Sequence, residues 1–274
     1  MNLCSIFLAV LLSFAVLPAF ADEPTKIEEL GLDQKLQRLY ELYRSGETVS
    51  LKTHESRFNL GISYAFNDKN DLGLHTSNRS LVLQGSFAYG ITDRLEAAIS
   101  VPMQWNQNRI ETPEKIYVHQ SLAGLGDMGV RFITTFPVKQ FEMTGVFGLA
   151  FPTGRAGIGQ SGIRSTISIN VAKIVRPAFL FGGLGWQRDW HTGVNGITYS
   201  GGVGFYLNHV LSAGMELSGT RFLNPPRSGI YDSASAIVQV SYQLTPTLGI
   251  TPYVSHGLTD GTPNVVGFTI SRRF

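Results

Sequence analysis

From Glu55 to the C-terminus, apolar and polar positions alternate with a period of two. Leu81, Leu83, Phe87 and Tyr89 interleave with Gln84 and Ser86; Leu95, Ala97, Ile99, Val101, Met103 and Trp105 interleave with Glu96 and Ser100. The pattern repeats at Met128, Val130 and Phe132, and again at Met143, Phe147, Leu149 and Phe151, against Arg131, Thr135, Glu142 and Thr144. Successive side chains of a strand point to opposite faces, so each run predicts a strand with one greasy face and one face of charge, hydroxyl and glycine. Twelve runs are present, over 55–68, 78–90, 93–107, 122–136, 140–152, 163–175, 178–191, 198–208, 210–222, 233–244, 247–256 and 263–274. Short links fall at Thr92, Val138, Arg176, Asn208 and Pro246, and longer ones over 69–77, 108–121, 153–162, 192–197, 223–232 and 257–262. An even strand number with short and long links in alternation predicts an all-β fold, a 12-stranded antiparallel transmembrane β-barrel of the outer-membrane type. A soluble sandwich gives no reason to sort its loops this way.

Composition narrows this further. Of 274 residues 43% are hydrophobic and only 15% charged, yet mean hydropathy is +0.06, because greasy positions alternate with small polar ones. After the first apolar run no stretch reaches the roughly 20 residues a membrane helix needs. Aromatics at 11% and a net charge of +2 exclude a disordered chain, and that balance also excludes a nucleic-acid partner. Aromatic rings gather at both predicted interfaces: Tyr89, Phe136, Tyr242 and Phe274 at one set of strand ends, Trp105, Phe151, Trp186, Trp190 and Phe222 towards the other.

The first apolar run, 3–17, ends at Pro18 and is followed by Ala19-Phe20-Ala21, a small-x-small cleavage site. Residues 1–21 are therefore expected to be a secretory signal peptide, 22–54 an N-terminal extension and 55–274 the barrel. Cys4 is the single cysteine and lies in the signal peptide, so neither disulfide nor thiolate metal site is expected. In the extension Asp33 is an N-cap and Gly46 a stop. Between and beside them Leu32, Leu36, Leu39 and Tyr43 stand at i, i+4, i+7 and i+11, the stripe of a short amphipathic helix. Twelve strands about 4.8 Å apart and tilted by roughly 40° enclose a backbone diameter of about 24 Å. Side chains narrow that to a width close to the 10–12 Å of a helix. Two roles stay open for the helix: a plug in the lumen, or a contact with a periplasmic partner or a second copy of the chain.

The same alternation turns Arg57, Arg94, Glu96, Asp127, Arg131, Glu142, Arg164, Glu216 and Arg273 inward as candidate pore-lining residues. Charge facing lipid near the midplane costs about 2–4 kcal/mol, so the lumen is its natural place. Mixed signs predict no strong anion or cation selectivity. Catalysis is not expected. The six histidines are scattered, with no metal-ligand spacing, and no phosphate loop or nucleophile elbow is present, so no metal or cofactor is predicted. His119-Gln120-Ser121 shares the His-x-Ser of outer-membrane phospholipase, but Leu122-Ala123 follows where that family has Asn-Gly.

Val266-Gly267-Phe268-Thr269-Ile270-Ser271-Arg272-Arg273-Phe274 closes the chain. It resembles the C-terminal signal that the outer-membrane insertion machinery recognises, with Phe268, Ile270 and Phe274 carrying the likeness. Two internal motifs resemble the outer-membrane transporter family named after the meta-pathway of phenol degradation: Gly124-Leu125-Gly126-Asp127-Met128-Gly129-Val130-Arg131-Phe132, and Phe151-Pro152-Thr153-Gly154-Arg155. That resemblance implies a channel in the Gram-negative outer membrane, surrounded by its lipid and passing small, hydrophobic or aromatic solutes, with no catalytic residues. The helix-plus-barrel layout is also similar to channels that secrete functional-amyloid subunits, which implies export of an unfolded polypeptide as the second reading. A structural barrel with a closed lumen is the third.

Overall fold

The computed structural model describes residues 51–71, 74–111, 117–136, 138, 141–159, 162–175, 178–208, 210–223 and 232–274. The signal peptide and the stripe Leu32, Leu36, Leu39 and Tyr43 lie outside the described residues. Thirteen strands follow: β1 (Ser56–Asp71), β2 (Leu74–Thr92), β3 (Leu95–Glu111), β4 (Tyr117–Leu125), β5 (Met128–Phe136), β6 (Glu142–Phe151), β7 (Arg164–Val175), β8 (Ala178–Asp189), β9 (Asn195–Tyr206), β10 (Leu211–Phe222), β11 (Ser233–Thr245), β12 (Leu248–Gly257) and β13 (Asn264–Arg273). Each is antiparallel to its neighbours, and β1 pairs β13 from Arg57↔Arg273 to Phe66↔Asn264, closing the ring. β3 pairs β4 over Met103↔Leu125 to Glu111↔Tyr117 and β5 over Leu95↔Thr134 to Ser100↔Gly129. β4 and β5 are thus one stave broken at Gly126–Asp127, and the barrel has twelve staves.

The outer wall carries the greasy positions. On β8, Leu180 and Leu184 are 50% and 67% exposed, while their neighbours Phe179 and Phe181 are 0% and 8%. Phe58, Phe87, Ile99, Phe132, Phe147, Ile169 and Phe205 are likewise exposed around the ring. Water would not tolerate an apolar band of that extent, since exposed patches on soluble monomers rarely exceed a few hundred Å². Lipid would. Cations sit over rings at both rims: the Arg188 guanidinium lies 4.6 Å from the Trp190 ring centre, and that of Arg272 5.0 Å from Phe274. Phe268, Ile270 and Phe274 share the outward face of β13 and its end, and Phe274 exchanges backbone hydrogen bonds with Ser56 at 2.8 and 3.2 Å.

The structure departs from the expected loop lengths at one place. β1, β2 and β3 run for 16, 19 and 17 residues, against 10 to 13 for β6 to β13. Sequence expected connections over 69–77 and 108–121, but strand pairing continues through most of both, to Asp71↔Leu74 and Glu111↔Tyr117. The extra residues form a flap of four strands above the lipid-facing band. There the chain has no greasy face to keep, so alternation disappears although the ladder persists.

Candidate functional site: the barrel lumen

Small and polar side chains line most of the interior. A cavity of about 490 Å³ is bounded by Thr166, Ser168 and Asn170 on β7, Thr198 and Ser200 on β9, and Glu216, Ser218 and Thr220 on β10, with Arg131 from β5. A second space, of about 160 Å³, lies between Arg57, Asn59, Gln84, Ser86, Glu96 and Arg131. Arg131 borders both. The interior is therefore a hydroxyl- and amide-lined passage with a guanidinium between its two widenings and a carboxylate, Glu216, on the larger one.

At the periplasmic end the interior carries buried apolar groups that sequence reading missed. Phe179 and Phe181 point inward, stack at 6.1 Å between ring centres, and pack on Ala172 and Tyr206. The facing β9 positions in the ladder are Gly204 and Gly202. A Cβ at Gly204 would stand 2.0 Å from Phe179 Cζ, and one at Gly202 2.4 Å from Phe181 Cζ. These glycines leave room for two rings. Ile133 and Val146, directly opposite each other on β5 and β6, are buried nearby on the same inner wall. A Gly-x-Gly run in register with a Phe-x-Phe run is the signal that could have revealed this floor.

The sequence-predicted charges separate into different surroundings. Arg57 and Glu96 form a salt bridge at 2.8 Å with side chains 7% and 0% exposed. The other Glu96 oxygen, Oε2, accepts the backbone N–H of Leu51 at 3.0 Å, and Leu51 is itself buried. Residues just before β1 thus turn into the periplasmic mouth rather than away from it. His54, at a φ of 69°, makes the bend, its N–H donating to the Gly90 carbonyl at 3.0 Å. Thr53 donates its N–H and its hydroxyl to Asp93 Oδ1 at 3.1 and 2.8 Å, and these bonds hold the Asp93 carboxyl below its ordinary pKa. Arg273 stands opposite Arg57 in the β1–β13 ladder, on the inward face. Glu142 opens β6, half-buried, and Arg164 faces Asp189 across β7 and β8 at the far rim. Arg94 is a correction: it is exposed in the turn between β2 and β3, where its backbone carbonyl accepts from Thr135 N–H, and it does not line the interior. Two-residue parity was carried one position too far, into the turn. Among the described residues no three of His, Cys, Asp or Glu converge as a metal site.

Asp127 has a different role from the rest. It sits at the break between β4 and β5, and its Oδ1 accepts the Gly154 N–H at 3.0 Å. Around it Thr153 Oγ1 accepts from Met128 N–H at 2.9 Å, Arg155 N–H donates to the Leu125 carbonyl at 2.9 Å, and the Arg155 guanidinium to the Ala123 carbonyl at 2.8 Å. The two motifs Gly124 to Phe132 and Phe151 to Arg155 therefore close on each other, clasping the loop after β6 over the broken stave. Glycine is required at 154, where a Cβ would meet Gly159 Cα at 2.7 Å, and at Gly124 the fit is tight, with Arg155 Cδ 3.1 Å from a Cβ. Asp127→Ala removes the acceptor of a partly buried N–H, a loss of about 1–3 kcal/mol confined to the clasp. Tryptic cleavage after Arg155 in the folded barrel is expected to accelerate several-fold, with heat-modifiable migration retained; an unchanged cleavage rate would contradict the assignment.

Comparison with solved structures follows the same geometry. An outer membrane channel of Pseudomonas putida F1 superposes with a TM-score of 0.63 at 10% identity, over 84% of this chain and 98% of that one. The translocator domain of autotransporter NalP from Neisseria meningitidis gives 0.58 at 9% identity, over 88% and 95%. A deletion mutant of the monoaromatic hydrocarbon channel TodX gives 0.51 at 10% identity, over 82% and 91%. The chain has the fold of a Gram-negative outer-membrane barrel. No family model matches the sequence, and no curated protein does. This barrel places the short turns on one side and the flap and clasp on the other, the periplasmic and outer faces respectively.

Proposed function

We propose that the protein is an outer-membrane channel for small polar solutes. One observation carries the reading: a closed barrel whose lipid side is apolar keeps two hydroxyl- and amide-lined cavities in its interior that share Arg131, with Glu216 on the larger one. Burying that much polar surface serves stability poorly, because unpaired polar groups in a dry core are costly; it serves a wetted path. The wall favours polar cargo over the apolar or aromatic solutes that the family resemblance implies. The N-terminal stripe of Leu32, Leu36, Leu39 and Tyr43 acts as the plug in this reading, because Leu51 already lies inside the periplasmic mouth, against Glu96. Insertion proceeds through the terminal strand, with Phe268, Ile270 and Phe274 as the recognised residues. Export of an unfolded polypeptide is the second reading; likeness to an autotransporter translocator domain supports it, and the aromatic floor opposes it.

Single-channel conductance of the mature protein in planar bilayers, beside a version lacking residues 22–48, tests both channel and plug. Low conductance that rises several-fold on deletion is the expected result. Equal conductance from the two would remove the plug and send the helix to a partner. Silence from both would overturn the channel and leave a closed structural barrel.

A further inference from the structure

We propose that the inner face of the extracellular flap binds a neutral, polyhydroxylated solute through a row of side-chain carboxamides. Asn67 pairs with Asn78, Asn78 with Asn108, and Asn108 with Gln120, so one residue from each of four consecutive strands stands at one level. Strand spacing puts successive amides about 4.8 Å apart. All four line one cavity of about 210 Å³, bounded at its other side by the turns at Gly157 and Gly261. Both glycines take positive φ, 84° and 89°, which lets those turns close over the cavity with no side chain in the way.

The chemistry of the row points to its ligand. A carboxamide offers two N–H donors and a carbonyl acceptor without charge, which matches hydroxyl groups that both donate and accept. A row of such groups on a flat strand surface suits a solute carrying a series of hydroxyls, such as an oligosaccharide. The row itself holds no charge for an ion; Arg79 also borders the cavity, but from between Asn78 and Ser80 its side chain leaves the strand on the opposite face. If the amides served only to brace the flap they would be tied to their neighbours, as Asn106 is, accepting from Ser80 Oγ at 2.7 Å. Among the described residues, no hydrogen bond joins the side chains of Asn67, Asn78, Asn108 or Gln120 to another side chain, so their bonding capacity is turned to the cavity. The opposite face of the flap differs: there Gln107 Nε2 meets His119 Nε2 at 2.7 Å, and Arg109 faces Glu111 at 3.7 Å. Binding at this site does not depend on passage through the lumen, though it would concentrate a solute above it.

Isothermal titration of the full mature protein, in a detergent without a sugar headgroup, with maltotriose, cellotriose and chitotriose in turn, tests the site. At least one trisaccharide is expected to bind. Asn78→Ala with Asn108→Ala should weaken it about tenfold, the loss of one or two net hydrogen bonds, while Gln107→Ala on the outer face leaves it unchanged. Heat-modifiable migration checks that each variant is folded; if the double variant is not, Asn108→Asp, which keeps the shape and adds a charge, is expected to weaken binding similarly. No heat from any of the three sugars, or wild-type affinity in the folded amide variants, would overturn the proposal. Conductance separates this from the channel reading. Binding by a silent barrel keeps the site and removes the channel, whereas conductance without binding does the reverse.

Discussion

Glu96→Ala is expected to destabilise the barrel by about 3–5 kcal/mol, the loss found when one member of a buried ion pair is removed and the other left without it. Arg57 and Glu96 meet at 2.8 Å inside the periplasmic end, both almost without exposure. Arg57 also stands directly opposite Arg273 across the β1–β13 ladder. Like charges at opposed positions repel, so losing the Glu96 carboxylate leaves Arg57 facing Arg273 at the seam where the barrel closes. Its loss also removes the acceptor for the Leu51 N–H, which should free the chain entering the mouth. The temperature at which the fast-migrating folded form converts to the unfolded one on a denaturing gel reads the first effect. Protease access at Lys52 reads the second. Replacing both partners, Arg57→Met with Glu96→Met, should recover most of the lost stability because no buried charge remains, yet Leu51 should stay released. If the single and double variants melt alike, the pair is not what holds this end.

The part of the fold that touches lipid was legible because lipid imposes a rule on each strand: every second residue must be apolar. Where that rule lapses, sequence reading lapsed with it. The flap strands beyond Ala65 and Ser80 carry Asn, Asp, Arg, Gln and Thr on both faces, which reads as loop although the pairing continues to Asp71↔Leu74. The break at Gly126–Asp127 falls inside the run over 122–136, because the alternation resumes beyond it at Met128 and nothing in the pattern marks a mid-stave interruption. Only the three-dimensional pairing shows that Leu125 still faces Met103 while Gly129 faces Ser100. Among the candidate site residues, parity alone put Arg57, Glu96, Arg131 and Glu216 on the inner wall, because alternation fixes a face. It could not say that Glu96 is consumed by Arg57 and Leu51, nor that Asp127 serves a backbone clasp, since those are contacts between staves far apart in sequence. The two glycine motifs have a structural role in this barrel: their residues hold a broken stave shut.

Phe179→Ala combined with Phe181→Ala is expected to move stability and permeation in opposite directions. Phe179 has no exposed surface and Phe181 almost none, and the two rings fill space that Gly204 and Gly202 leave open on the next stave. Truncating a buried Phe to Ala typically costs about 3–5 kcal/mol, less where the site can collapse or admit water. A lumen admits water, so the lower end of that range is expected here, read as a drop in the melting midpoint of the folded form. The same truncation removes two rings from the interior at the periplasmic end, and single-channel conductance of the protein lacking residues 22–48 should increase several-fold. Gly204→Ala puts a Cβ where Phe179 Cζ lies 2.0 Å away, so the ring must swing further into the lumen and conductance should fall. Combining Gly204→Ala with Phe179→Ala should relieve the clash and return conductance above that of the unaltered barrel. If the Phe pair can be removed with no change in conductance, the aromatic floor is packing alone, and the constriction to be sought is the Arg57–Glu96–Leu51 cluster at the mouth.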